Sequence, residues 1–233
     1  MSASQVWRRR AVALGLLVAA LVAGYYLWLR DASVFAIEQV EVEGASTDAD
    51  RIAAAVGAAA EGMTTLNVDD EKLRAAVSQF PTVASMSADA TLLDKLTVTI
   101  TERLPVARIE LGGEPVAVSA DGYLLPRLEG DQGELPLIEG GESGGRLDPA
   151  GAAQAAIVGA APDPVREAID SASWSEERGG VVVELEGAPE LRFGSGGEAE
   201  RKWKAVAAVL TDPERGSPAY IDASVPERTV SGG

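Results

Sequence analysis

Nineteen consecutive uncharged residues, Ala11 to Leu29 (AVALGLLVAALVAGYYLWL), constrain this chain more than any other feature. As a helix rising about 1.5 Å per residue they extend roughly 28 Å, close to the hydrocarbon thickness of a bilayer. Nine of them are Leu or Val, each favouring the bilayer centre by about 0.3–0.6 kcal/mol. The sequence therefore predicts a transmembrane helix over residues 11–29. Trp7 and Arg8, Arg9 and Arg10 precede it, while Tyr25, Tyr26 and Trp28 sit at its far end before Arg30 and Asp31. The positive-inside rule then predicts a cytoplasmic tail at residues 1–10 and extracytoplasmic domains after Arg30. A cleaved signal peptide is the alternative, but its apolar core is usually about 7–15 residues and ends at a small-x-small site, and neither feature is present.

The chain has 233 residues, with 20 basic and 36 acidic side chains. Residues 1–30 contain four arginines and no acid, which leaves 16 basic against 36 acidic, a net of −20, in the remainder. Nucleic acid and anionic lipid would be repelled by that part. Cys and His are absent, which excludes disulfides, thiol nucleophiles, His acid/base chemistry and the ordinary zinc ligand sets. No cofactor or metal is expected, and any chemistry would fall to carboxylates, Ser, Tyr or the four lysines, Lys72, Lys95, Lys202 and Lys204.

From Ile37 to Glu43, Val40 and Val42 alternate with Glu41 and Glu43 and the run stops at Gly44, the pattern of a half-buried strand and a turn. Thr47, Asp48 and Asp50 then precede Ile52, Ala55, Val56 and Ala59, a capped amphipathic helix closed by Gly62. A second helix is capped by Asp69, carries Leu73, Ala76, Val77 and Phe80 on one face, and ends at Pro81. Val83 to Ala90 reads as a strand, and Leu96, Val98 and Ile100 alternate with Thr97, Thr99 and Thr101 in another.

Beyond Arg108, Val116 and Val118 lead through Asp121-Gly122 to Tyr123, Leu124 and Leu125, a hairpin signal. Gly140 to Gly145 reads as a flexible loop, and Asp148-Pro149 starts an Ala-rich helix as cap and first residue. Strands are expected around Ala172 to Glu177, Val181 to Glu186 and Glu190 to Phe193, as an antiparallel meander. Glu198 to Leu210 is a helix with Lys202, Trp203, Val206 and Leu210 at helical spacing and Trp203 in the core. A short strand at Tyr220 to Val225 follows.

Three stretches in combination carry a resemblance. Phe35-Ala36-Ile37-Glu38-Gln39-Val40-Glu41-Val42-Glu43-Gly44, Phe80-Pro81-Thr82-Val83, and Val98-Thr99-Ile100-Thr101-Glu102-Arg103-Leu104-Pro105-Val106-Ala107 resemble the POTRA domain of the FtsQ family, called DivIB in Gram-positive bacteria. Relatives usually carry Trp-Pro in the hairpin before the last strand, where this chain has Leu93-Asp94-Lys95-Leu96. Asp121-Gly122, Leu135-Pro136-Leu137-Ile138-Glu139-Gly140, Phe193-Gly194 with the Lys202 helix, and the ending Ile221-Asp222-Ala223-Ser224-Val225-Pro226 are similar to the family's second domain. The resemblance implies an α+β protein: a single transmembrane helix, a POTRA domain (β-α-α-β-β) over 35–107, a second mixed antiparallel β-sheet domain with helices over 108–228, and a tail at 229–233.

By the same resemblance the chain is a non-enzymatic divisome scaffold in the cell membrane, enriched at the division septum. It would link an FtsB/DivIC-like and FtsL-like complex to septal peptidoglycan synthesis, with the synthases as further partners. The terminal strand, Tyr220, Ile221, Asp222, Ala223, Ser224 and Val225, is expected to be an open sheet edge that receives the FtsB-like partner by strand addition. Arg178 is the candidate basic residue facing an acidic group of that partner. A rival class is a membrane-anchored Ser-Lys hydrolase using Ser33 and Lys72. Lys72 sits near the start of an amphipathic helix beside Asp69, Asp70 and Glu71, and a base must lie within about 3 Å of the proton it takes. A POTRA-containing outer-membrane exporter would need a large C-terminal barrel, for which about 125 acidic, helix-containing residues do not suffice.

Overall fold

The computed structural model describes residues 3–25, 33–91, 94–125, 134–212 and 218–232. Tyr26 to Asp31, Leu93 of the expected hairpin and Ser217 lie outside these. Helix α1, Ala3–Gly24, contains the first fourteen residues of the uncharged run, and Val12, Leu14, Leu16, Leu17 and Leu21 are all exposed along it. Among the described residues no helix is long and apolar enough to cross a membrane. α1 ends at Gly24, so every stretch of it long enough to span takes in Arg8, Arg9 and Arg10.

The chain divides into two compact units, residues 1–102 and 103–233. After α1 and a 3-10 turn at Ser33–Phe35, the first unit runs β1 (Gln39–Glu43), α2 (Ala49–Ala60), α3 (Asp70–Val77), β2 (Val83–Ala90) and β3 (Lys95–Glu102). This is the expected strand, helix, helix, strand, strand order. The sheet order is β1-β3-β2, with β1 parallel and β2 antiparallel to β3. The alternation read from the sequence is met in β3, where Leu96, Val98 and Ile100 are buried against Ile52, Val56, Leu73, Val77 and Phe80.

Two residues of the recognised motifs have a visible physical task here. Gly44 has φ +79°, and a Cβ on it would lie 2.2 Å from the Ile100 carbonyl oxygen, so the turn after β1 can press against β3 only as glycine. Glu102, the last residue of β3, accepts backbone hydrogen bonds from Ser46 (2.8 Å) and Thr47 (2.8 Å) and a further one from the Ser46 hydroxyl. That carboxylate ties the β1–α2 loop to β3. Asp69 caps α3 as expected, accepting from the Lys72 N–H at 2.9 Å. α2 differs: Asp48 at its N-cap is left-handed (φ 56°) with no side-chain cap, and its carboxylate pairs with Arg51 instead.

The second unit contains β4 (Pro105–Leu111), β5 (Glu114–Ser119), β6 (Leu124–Leu125), β7 (Leu137–Ile138), β8 (Glu142–Ser143), β9 (Arg146–Leu147), α4 (Pro149–Gly159) and α5 (Asp163–Arg166). It continues with β10 (Ile169–Ser175), β11 (Gly180–Leu185), β12 (Glu190–Gly194), α6 (Ala199–Leu210), β13 (Tyr220–Asp222), a 3-10 turn at Pro226–Arg228, and β14 (Val230–Gly232). Among the described residues nine strands form one mixed sheet in the order β14-β13-β12-β11-β10-β7-β4-β5-β6. β10, β11 and β12 are the expected antiparallel meander. Val106 and Ala107, expected at the end of the POTRA domain, belong to β4 and to the second core, because β4 pairs with β5 and β7. Gly140 to Gly145, expected as a loop, carries β8, whose hairpin with β9 turns on Gly144 and Gly145 at positive φ. Arg103 stacks over Tyr123 (3.7 Å to the ring centroid) and its Nε donates to Asp121 at 2.8 Å, which anchors the entry to β4.

α4 and α6 pack on this sheet. Asp148 caps α4 by accepting from Gly151 (2.8 Å), and it also accepts from Gly141 (2.7 Å). These backbone donors hold its carboxyl below the usual range. The Ala-rich face of α4 packs closely: a Cβ on Gly159 would meet that of Ala120 at 2.5 Å. Trp203 of α6 is buried and donates its indole N–H to Ile157 O of α4 at 2.7 Å. Val209, not Leu210, completes the buried face of α6. Lys202 is 2% exposed, and its ammonium donates to Phe193 O (2.8 Å) and Ser195 O (2.7 Å) at the end of β12. Burial lowers its pKa from the ordinary lysine value.

Two measurements check these assignments. Gly44→Ala combines a left-handed Cβ with a 2.2 Å approach and is expected to destabilise the first unit by about 2 kcal/mol or more, read as faster hydrogen exchange at Val98 and Ile100 with Val181 and Val183 unchanged. Lys202→Met keeps the volume but removes both donors, and a loss of about 1–3 kcal/mol is expected in chemical denaturation of the full chain. A Lys202→Met chain as stable as the parent would mean that the ammonium contributes nothing net.

Candidate partner-binding edge

The terminal strand stands one place in from where its alternation places it. β13 pairs parallel with β12 (Glu190↔Tyr220, Leu191↔Ile221, Arg192↔Asp222) and antiparallel with β14 (Tyr220↔Gly232, Ile221↔Ser231, Asp222↔Val230). The expected tail at 229–233 thus supplies the outermost strand, and Tyr220–Asp222 is internal. Ala223, Ser224 and Val225 lie beyond β13: the Asp222 carboxylate accepts from the Ser224 N–H (2.9 Å) and turns the chain out of the sheet towards the Pro226–Arg228 turn. Ile221 and Ala223 are fully buried, and the Ala223 N–H donates to Arg192 O at 2.8 Å, so neither is available to a partner. The sequence missed β14 because three residues with only one β-branched apolar member, Val230, carry almost no periodicity.

On the side of the sheet away from the core, one row crosses the three outer strands. The Arg192 guanidinium lies 4.0 Å from the Tyr220 ring centroid, and the Tyr220 ring lies across Gly232, where an added Cβ would come within 2.7 Å of its hydroxyl. A side chain at 232 would push that ring aside. Glu190 accepts from Arg192 Nε at 2.6 Å and from Arg178 Nε at 3.1 Å. The hydrogen bond from Arg192 leads the causes that hold the Glu190 carboxyl below its ordinary value. Arg178, singled out from the sequence, is therefore tied to Glu190 on a neighbouring strand, with 40% of its side chain still exposed. Glu190 and Arg192 carry the arrangement, and a charge pair two apart on a strand gives no distinctive sequence signal.

At the open side of β14, Val230 is 51% exposed. The turn before β14 is tied to α6 by an Arg201–Glu227 ion pair. The arrangement suits recognition of an added strand, because an edge offers backbone donors and acceptors while Tyr220, Arg192 and Arg178 present an aromatic and cationic flank. Lys72, the base of the rival hydrolase, is exposed in the first turn of α3, and the side chain of Ser33 lies outside the description. Among the described residues no cluster of carboxylates is placed to hold a metal ion.

Comparison with family models gives two adjacent matches. The FtsQ-type POTRA domain matches residues 35–103, and the C-terminal domain of the cell division protein FtsQ/DivIB matches residues 107–224. No curated protein matches the chain. The first match covers the β1-α2-α3-β2-β3 unit and the second spans β4 to the end of β13, together most of the chain, so this protein belongs to the FtsQ/DivIB family of cell-division proteins.

Proposed function

We propose that the chain is a single-pass inner-membrane scaffold of the divisome, with its N-terminus in the cytoplasm and both domains outside. Its second domain binds the C-terminal part of an FtsB/DivIC-like protein, held with an FtsL-like protein, and so couples them to septal peptidoglycan synthesis without catalysing a reaction. Family membership supports the cell-division role. The run Ala11–Leu29, with Arg8 to Arg10 on one side, supports the anchor and its orientation.

The observation that carries the partner-binding reading is the position of β14 at the end of the nine-stranded sheet. The partner strand adds to β14 at Val230–Gly232. Tyr220 and Asp222 flank it from β13, Ser224 and Val225 from the connecting turn, and Arg178 with Arg192 receives an acidic side chain of the partner. Ile221 and Ala223 act from beneath, by holding β13 on the core.

Successive residues of a strand turn their N–H groups to opposite sides. Of Val230→Pro and Ser231→Pro, one is therefore expected to remove an outward donor and weaken binding to an FtsB-like C-terminal peptide tenfold or more while the domain stays folded. If both variants are folded and both bind as the parent does, the edge model is wrong. Ala223→Pro, by contrast, removes a buried donor and is expected to destabilise the domain itself by about 3 kcal/mol.

The anchor has its own test. Protease added to intact spheroplasts should digest the chain after Asp31 and leave a short membrane-bound fragment. A soluble mature protein beginning near Asp31 would refute it.

A further inference from the structure

We propose that Glu190 is a positioning residue for partner binding: it fixes Arg192 on the Tyr220 ring as a carboxylate receptor, so that Arg192 more than Arg178 reads an acidic side chain of the added strand. This role presupposes that β14 is the docking edge. Arg192 belongs to β12, two strands in from β14. With strands about 4.8 Å apart, its backbone is about 14 Å from a strand added to β14, so its side chain can act there only if it is directed outward along the row.

Two contacts set that direction. The guanidinium lies 4.0 Å from the Tyr220 ring centroid, and that ring in turn lies across Gly232 of β14. Glu190 takes only the Nε hydrogen of Arg192, at 2.6 Å, so both Nη atoms are left without a hydrogen-bond partner among the described residues, and neither is buried. What remains open is the paired Nη edge, which matches a carboxylate in two parallel hydrogen bonds. Asp222, opposite Arg192 in the register, accepts from the Ser224 N–H and forms no ion pair with it. Arg178 is used differently. Glu190 takes both its Nε (3.1 Å) and its Nη2 (3.4 Å), which occupies one whole edge, and Arg178 stands in the turn between β10 and β11, farther from β14. Charge alone makes Glu190 a repelling neighbour for an acidic partner, and its removal would then tighten binding. Positioning gives the opposite sign.

The test uses the full chain in detergent and two fluorescent peptides: the C-terminal part of the FtsB-like protein of the same cell, and a copy with its Asp and Glu changed to Asn and Gln. By fluorescence anisotropy the parent is expected to bind the acidic peptide about tenfold more tightly than the amide copy. Glu190→Ala should weaken the acidic peptide about fivefold or more and leave the amide copy within about twofold, because only the acidic side chain uses the Arg192 fork. Glu190→Gln keeps an acceptor for Nε and should retain most of the discrimination. Arg192→Lys, which keeps the charge but not the fork, should lose it, and Arg178→Lys should keep it. The role is refuted by a Glu190→Ala chain that binds the acidic peptide more tightly, discriminates as the parent does, or loses both peptides alike, the last being the mark of a purely structural residue. Should Glu190→Ala misfold, an Arg192→Lys chain that still discriminates as the parent does refutes it as well. A parent that binds both peptides equally overturns this role and leaves β14 as the edge, whereas a parent that binds neither overturns the edge and the role together.

Discussion

A single buried ammonium holds the outer half of the second domain together. β12 must end, the chain must cross through α6, and β13 must return parallel to β12, and Lys202 acts where these meet. It takes the carbonyl oxygens of Phe193 and Ser195 from a position where burial disfavours its charge. A lysine is fully buried only when its donors are satisfied. That requirement fixes α6 over the end of β12, which in turn brings Trp203 to Ile157 and against Phe193, whose ring centroid is 4.6 Å away. β13 has only three paired residues on β12. Its place in the sheet depends on this junction and on the burial of Ile221 and Ala223.

The first domain relies on a different device, a carboxylate at the end of its central strand. Glu102 satisfies the N–H groups of Ser46 and Thr47, which would otherwise be left open at the turn into α2. The helix start there has no side-chain cap of its own, and the clamp fixes the two residues before its N-cap instead of the N–H groups of its first turn. The next residue, Arg103, serves the other unit through Asp121 and Tyr123. Two adjacent residues of one short motif thus stabilise two separate cores.

Most of this architecture is legible in the residues. Period-two alternation in Leu96 to Thr101, caps at Asp69 and Asp148, and the Asp121-Gly122 turn each encode their element locally. What could not be read depends on partners distant in sequence. The boundary after Glu102 follows from β4 pairing with β5 and β7, which the strand does not announce. The hairpin at Glu142 to Leu147 and strand β14 are too short for periodicity to register. For that reason the candidate edge was expected one strand too far in: Tyr220 to Asp222 has a strand's composition, whereas the three residues that cover it do not. Ala223 makes the same point, since a small residue near the end of a chain gives no hint that its N–H is buried on Arg192 O.

The parallel return of β13 also orders events in time. β10, β11 and β12 can pair as each is reached, because short turns join them. β13 cannot pair until the intervening residues, α6 among them, have closed a long loop, and such closures are slow relative to hairpins. β14 must wait for β13. The edge proposed to receive a partner is therefore in place only after β13 has returned to β12. If a partner adds to β14 as proposed, a chain with an unfinished core would offer it no strand, and binding would report on whether the domain has folded.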